Sequence, residues 1–103
     1  MQLNPTDAGN IALDFIFAEW SIPKSDKDWF IIISSRLLGE SWYIVELGIS
    51  GFPDRWYLQV YDNGECDPSY TFTSPIRGSE GYIDLDSLPH LLGEVLISER
   101  NAR

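Results

Sequence analysis

Two runs of alternating residues, joined by a glycine–proline connection, constrain this chain more than any other feature. They lie between Ser41 and Tyr61, in SWYIVELGISGFPDRWYLQVY. In the first run Tyr43, Val45, Leu47 and Ile49 are apolar, while Glu46 and Gly48 between them are poor core residues. In the second, Trp56, Leu58 and Val60 are apolar, and Arg55 and Gln59 are polar. A period of two marks a strand with one face on a core and one on solvent. The SGFPD segment stops strand pairing and turns the chain, because glycine and proline favour turn conformations. The stretch therefore predicts the central pair of a small antiparallel sheet.

The flanking segments extend this pair into a domain. Asn4 is placed to cap a helix, Pro5 suits its first position, and Asp7 suits the positive end of the helix dipole. The helix is expected to run to about Glu19 or Trp20. Its apolar residues, among them Ile11, Leu13, Phe15, Ile16, Phe17 and Trp20, cover most of its circumference. Such a helix is covered on most sides, or it leaves Phe17 and Trp20 for a partner. Ser21–Asp28 reads as a loop. WFIIISSR then reads as a strand covered on both faces from Trp29 to Ile33, with a turn at Leu37–Glu40. Asp62-Asn63-Gly64 is a strong hairpin signal, because Asn and Gly tolerate positive φ. Tyr70–Thr73 is expected to form a fourth strand, and Tyr82–Leu85 a short edge strand. Asp86 or Ser87 is expected to cap a last helix with Pro89 in its first turn. Leu88, Leu91, Leu92, Val95 and Leu96 follow the spacing of one helix face. Ser98–Arg103 reads as a polar, frayed tail.

The predicted fold is α+β. An antiparallel meander sheet of four to five strands carries the N-terminal and C-terminal helices packed on it. At 103 residues the chain is expected to be a single domain, residues 1–103. Val45, Leu47, Leu58, Val60, Phe72, Leu92 and Leu96 are the predicted common core.

The residues that would carry catalysis are isolated. His90 is the only histidine, and Cys66, the only cysteine, sits in the acidic segment DNGECDPS, which disfavours a thiolate. GxSxG, HExxH, CxxC and phosphate-binding glycine loops are all absent from the sequence. Asp62, Glu65 and Asp67 crowd one turn, but their spacing does not match an EF-hand loop. Asp84 and Asp86, two apart, would share one face of an extended segment, as the acid and base of a glycosidase could, but the domain is small for a sugar cleft. The expectation is therefore a protein that is not an enzyme, with no catalytic residue, metal or cofactor. A lone cysteine also excludes an intrachain disulfide and fits a reducing compartment. The N-terminal MQLNPTDAGN lacks the basic stretch of a signal peptide, and no apolar run approaches the ~18 residues of a membrane span. A cytoplasmic location is expected.

Charge is more informative. The net charge is −9, with 16 acids against 7 bases. Between Trp56 and Glu99 eight acids face one base, Arg77, a local net charge of −7. Such a field repels nucleic acid and anionic membrane and favours a basic protein surface. Tyrosines are interleaved with these acids, and aromatic rings supply desolvated contact area. The predicted partner-binding residues are Asp62, Glu65, Asp67, Asp84, Asp86, Tyr61 and Tyr70.

WYIVELGISGFPDRWYLQVYDNG, with the acidic DNGECD and EGYIDLD segments, resembles in outline the small acidic immunity proteins of bacterial polymorphic toxin systems, of the contact-dependent inhibition or type VI kind. That resemblance implies an α+β protein that binds and neutralises a cognate toxin, here a basic nuclease acting in the cytoplasm. The expected partner is a protein toxin with a basic surface; nucleic acid, membrane and small-molecule ligands are not expected. Two other readings stay open. One is an acidic nucleic-acid mimic of the phage anti-restriction or anti-CRISPR type. The other is a small ligand-binding domain.

Overall fold

A computed structural model describes residues 3–76 and 83–102, with the backbone alone described at 83 and 84. The order is α1 (Pro5–Trp20), β1 (Phe30–Leu38), β2 (Trp42–Ile49), β3 (Arg55–Tyr61), β4 (Thr71–Thr73) and α2 (His90–Asn101). The four strands form one antiparallel meander in the order β1-β2-β3-β4. Both helices pack on it, so the chain is α+β.

The start of α1 follows from its sequence. The Asn4 side chain accepts a hydrogen bond from the Asp7 amide at 2.8 Å, and Pro5 occupies the first turn. Small residues let α1 approach the sheet: Ala8, Gly9 and Ala12 are buried, and a β-carbon on Gly9 would lie 3.0 Å from Ile32. Two long-range bonds fasten the helix start to the sheet. Tyr43 donates its hydroxyl to the Leu3 carbonyl at 2.6 Å, and Ser35 donates its hydroxyl to the Pro5 carbonyl at 2.7 Å.

The strand parity read from the sequence holds. Tyr43, Val45, Leu47 and Ile49 of β2, and Trp56, Leu58 and Val60 of β3, point into the core. Leu92, Val95 and Leu96 meet them from α2. Phe72 is only half-buried, because the short β4 lies at the sheet edge and leaves the ring partly open.

Several local expectations are corrected. Residues Lys24–Trp29 form a 3-10 turn that takes in most of the expected loop and also Trp29, so the first strand starts one residue later than expected, at Phe30. β1 continues to Leu38, so the turn begins at Gly39, which has φ +68°. The isoleucines of β1 are not covered on both faces. Ile31, Ile32 and Ile33 stay exposed because β1 is an edge strand. Ile83–Ser87 forms a 3-10 turn rather than an edge strand, while Tyr82 lies outside the described residues. Pro89, not Asp86 or Ser87, precedes the first residue of α2, and no side chain caps that end.

The largest correction concerns the C-terminus. The helix continues through Asn101, and Glu99 and Arg100 are buried. Arg100 donates from Nε and Nη2 to the two carboxylate oxygens of Asp54, both at 2.8 Å, and both side chains are fully buried. A bidentate pair satisfies both groups in a fixed plane. It fastens the end of α2 to the β2–β3 connection. One residue earlier in α2, Glu99 accepts a hydrogen bond from the Trp56 indole at 2.6 Å.

Candidate functional site

Strand register assembles an acidic, aromatic end of the sheet. Trp42 lies opposite Leu38 on one side and Tyr61 on the other. This brings the β1–β2 turn beside the β3–β4 connection, and the Asp62 amide donates to the Ser41 carbonyl at 2.8 Å. Glu40, Asp62 and Glu65 are exposed there, with Asp67, Trp42 and Tyr61 half-exposed.

The turn itself is ordered by its own polar groups. Gly64 takes φ +93°, and the Glu65 amide donates to Asn63 Oδ1 at 3.0 Å. The chain then returns along β3: Tyr61 and Glu65 bond through their backbones, and Val60 pairs with Cys66. Asp67 accepts bonds from the Tyr61 hydroxyl at 3.1 Å and from the Ser69 amide at 2.8 Å. The hydrogen bond to Asp67, with the nearby acids, pushes the Tyr61 hydroxyl above its ordinary pKa. Burial, then Asp67, pushes the Cys66 thiol up to about 11, so it is protonated at neutral pH.

This end continues onto the sheet face turned away from the helices. Register puts Ile31, Arg36 and Leu38 of β1, Trp42, Ile44 and Glu46 of β2, and Arg55, Tyr57, Gln59 and Tyr61 of β3 on that face. Glu46 is held there by the Ser34 hydroxyl at 3.4 Å and by Arg55 Nε at 3.5 Å. Among the described residues no helix packs on this face, because Ala8, Leu13, Ile16, Leu92 and Leu96 all join the core on the opposite one. The result is a shallow surface of half-exposed rings with carboxylates at one end.

The other residues expected at the site lie elsewhere. Tyr70 turns to the helix side, where its ring meets Phe15 edge-on with centroids 6.3 Å apart. Burial and a hydrogen bond to Glu99 push its hydroxyl up to about 12. Tyr70 also lines a cleft of about 560 Å³ with Pro68, Phe72, Glu99 and Ala102. Asp86 is exposed in the Ile83–Ser87 turn, beside a cleft of about 470 Å³ that also holds His90 and Glu94. The structure thus unites Tyr61, Asp62, Glu65 and Asp67 and sends Tyr70 to the opposite side of the sheet. The side chain of Asp84 lies outside the described residues.

Trp42 and Glu40 were missed by reading acids and tyrosines along the chain. The available signal was strand pairing: once Tyr43 faces Val60, Trp42 must face Tyr61. His90 Nε2 lies 3.1 Å from the Glu94 carboxylate one turn along α2, with its side chain 92% exposed. Among the described residues no three His, Cys, Asp or Glu side chains gather to hold a metal ion, and no helix is long and apolar enough to cross a membrane. Compared with family models, curated proteins and solved structures, the chain matches none.

Proposed function

We propose that this chain is an immunity protein: a non-enzymatic inhibitor that binds a cognate bacterial toxin, a basic nuclease acting in the cytoplasm. The observation that carries this reading is the joining of the acidic turns to an uncovered aromatic sheet face. Glu40, Asp62, Glu65 and Asp67 present negative charge where Trp42 and Tyr61 present ring surface. Carboxylates at a rim steer a basic partner and set its orientation. Rings with few rotatable bonds then supply contact area at low entropic cost. The net charge of −9 extends the attraction beyond the contact itself.

The test starts from a basic polypeptide encoded beside this chain. Its toxicity on expression in bacteria should vanish when this chain is co-expressed. With both proteins purified, association should slow as ionic strength rises past ~0.1 M, where the Debye length is about 10 Å. The triple variant Asp62→Asn, Glu65→Gln and Asp67→Asn should slow association about tenfold at low salt, with folding intact. An association rate indifferent to both salt and the variant would move the binding face away from this end of the sheet.

A further inference from the structure

The β1 edge is unlike the rest of the surface. Every large hydrophobic residue that is exposed among the described residues lies in this strand: Ile31 at 42%, Ile32 at 39%, Ile33 at 39%, Leu37 at 49% and Leu38 at 38%. β1 is nine residues long, pairs with β2 on one side only, and holds no proline and no acid. Its single charge is Arg36. Edge strands in monomers are ordinarily short, charged, or interrupted by proline or a bulge, because an open ladder templates further pairing; of these devices β1 has only Arg36 and one bulge, between Ile32 and Ser34.

We propose that β1 is an interface for a second copy of this chain, the two β1 strands pairing antiparallel about a two-fold axis into one eight-stranded sheet. Three observations select a second copy as the occupant. The first is charge. A basic partner is drawn to the carboxylates of the turns, whereas Arg36 opposes it at β1. The second copy carries the same net charge of −9, but at the edge itself it brings only apolar and serine side chains and its own Arg36.

The second observation is self-complementarity. The bulge between Ile32 and Ser34 reverses the facing of the strand midway. Phe30, Ile32, Ser35 and Leu37 face the helices, and Ile31, Ser34, Arg36 and Leu38 face away. Ile33 also faces away, since its Cδ1 approaches Gly48. In a two-fold pairing that sets Phe30 opposite Leu37, Ile32 meets Ser35 on the helix side. On the other side Ile31 meets Arg36, and Ile33 meets Ser34. Every pair then shares a face, and the two Arg36 side chains stay apart.

The third observation is area and closure. The five exposed fractions amount to about two whole side chains, roughly 350 Å² of apolar surface per copy, within the range of the largest patch on an ordinary monomer. Two such patches and the unpaired backbone of both edges reach only the low end of specific interfaces, about 1,000 Å² in total. The dimer is therefore weak. It is also closed, because among the described residues the one remaining edge, β4, is three residues long and cannot propagate the sheet.

Sedimentation velocity on the full chain tests this directly. The apparent mass should rise from 11.7 kDa toward twice that value as concentration goes from about 5 µM to about 500 µM. The variant Leu37→Lys should hold the mass at the monomer value across that range, with its far-ultraviolet spectrum unchanged. Hydrogen exchange on the unsubstituted chain gives a second readout that needs no variant. The β1 amides not bonded to β2 should exchange about tenfold more slowly at the higher concentration, and those of β4 at the same rate. A mass of 11.7 kDa throughout would overturn the proposal. So would growth past two copies, or protection appearing at β4 and not at β1.

Discussion

Two connections of the same sheet contain aspartate and use it in opposite ways. In the β2–β3 connection Asp54 is fully buried and grips Arg100 with both oxygens. In the β3–β4 connection Asp62 and Glu65 stand in solvent, and the Asp67 carboxylate accepts from its own turn and from Tyr61. A buried carboxylate that loses its cation is left desolvated and uncompensated. An exposed one keeps its water and loses little. The first connection therefore maintains the fold, and the second is available for recognition.

The sharpest way to break this comparison is to remove one member of the buried pair. Asp54→Ala should destabilise the chain by about 3–5 kcal/mol, because Arg100 is then buried without its carboxylate. Urea unfolding measures it, and a loss below about 1 kcal/mol would place the pair among surface ion pairs. Leu58→Ala probes the core beneath the same strand. Leu58 is fully buried, and the cavity should cost about 2–5 kcal/mol. An unchanged midpoint would contradict the strand parity.

Gly48→Ala tests how closely the connection and the sheet approach. A β-carbon there would lie 2.9 Å from both Ile33 Cδ1 and Arg55 Nη1, and 3.3 Å from the Asp54 carbonyl oxygen. The two side-chain ends can move, but the carbonyl belongs to the backbone beside the buried pair. The expected loss is about 1–3 kcal/mol, and a neutral result would show that the connection yields.

On the other side of the comparison, replacing Asp62, Glu65 and Asp67 together with Asn, Gln and Asn should shift stability by no more than about 0.5 kcal/mol. A loss of several kcal/mol would make the second turn as structural as the first. The remaining effect is alkaline. The folded pKa values of Cys66, about 11, and Tyr70, about 12, lie above their ordinary values of 9.0 and 10.0. Between those limits the unfolded chain loses protons before the folded one, so stability should fall as pH rises from about 9 to about 12. Cys66→Ala should remove the part that begins near pH 9, as read from urea midpoints across a pH series.

Much of the fold was legible because its signals are local. Asn4-Pro5 marks the start of α1 through one cap and one fixed φ. The alternation in β2 and β3 fixes which residues are buried, because a one-residue slip would turn every side chain to the wrong face. The candidate site was legible in part. Asp62, Glu65 and Asp67 are near in sequence and remain so in space, with Tyr61 alongside. Trp42 joins them only through strand register, and Tyr70 leaves them because it lies on the side of β4 that faces α1.

The sequence by itself determined the faces of β2 and β3, the entry to α1 and the sign of the charge. These depend on neighbouring residues and on composition, which any conformer of the chain carries. Tertiary structure alone decided the fate of individual charges and of the isoleucine run. Arg100 continues the buried row of Leu92 and Leu96, yet as a charged residue near the C-terminus it reads as a solvated tail. Its guanidinium is received by the carboxylate of Asp54, 46 positions away. The Ile31–Ile33 run reads as a covered strand, and its exposure follows from β1 standing last in the sheet. Burial depends on which groups the fold brings opposite, and the run of residues along the chain does not specify those neighbours.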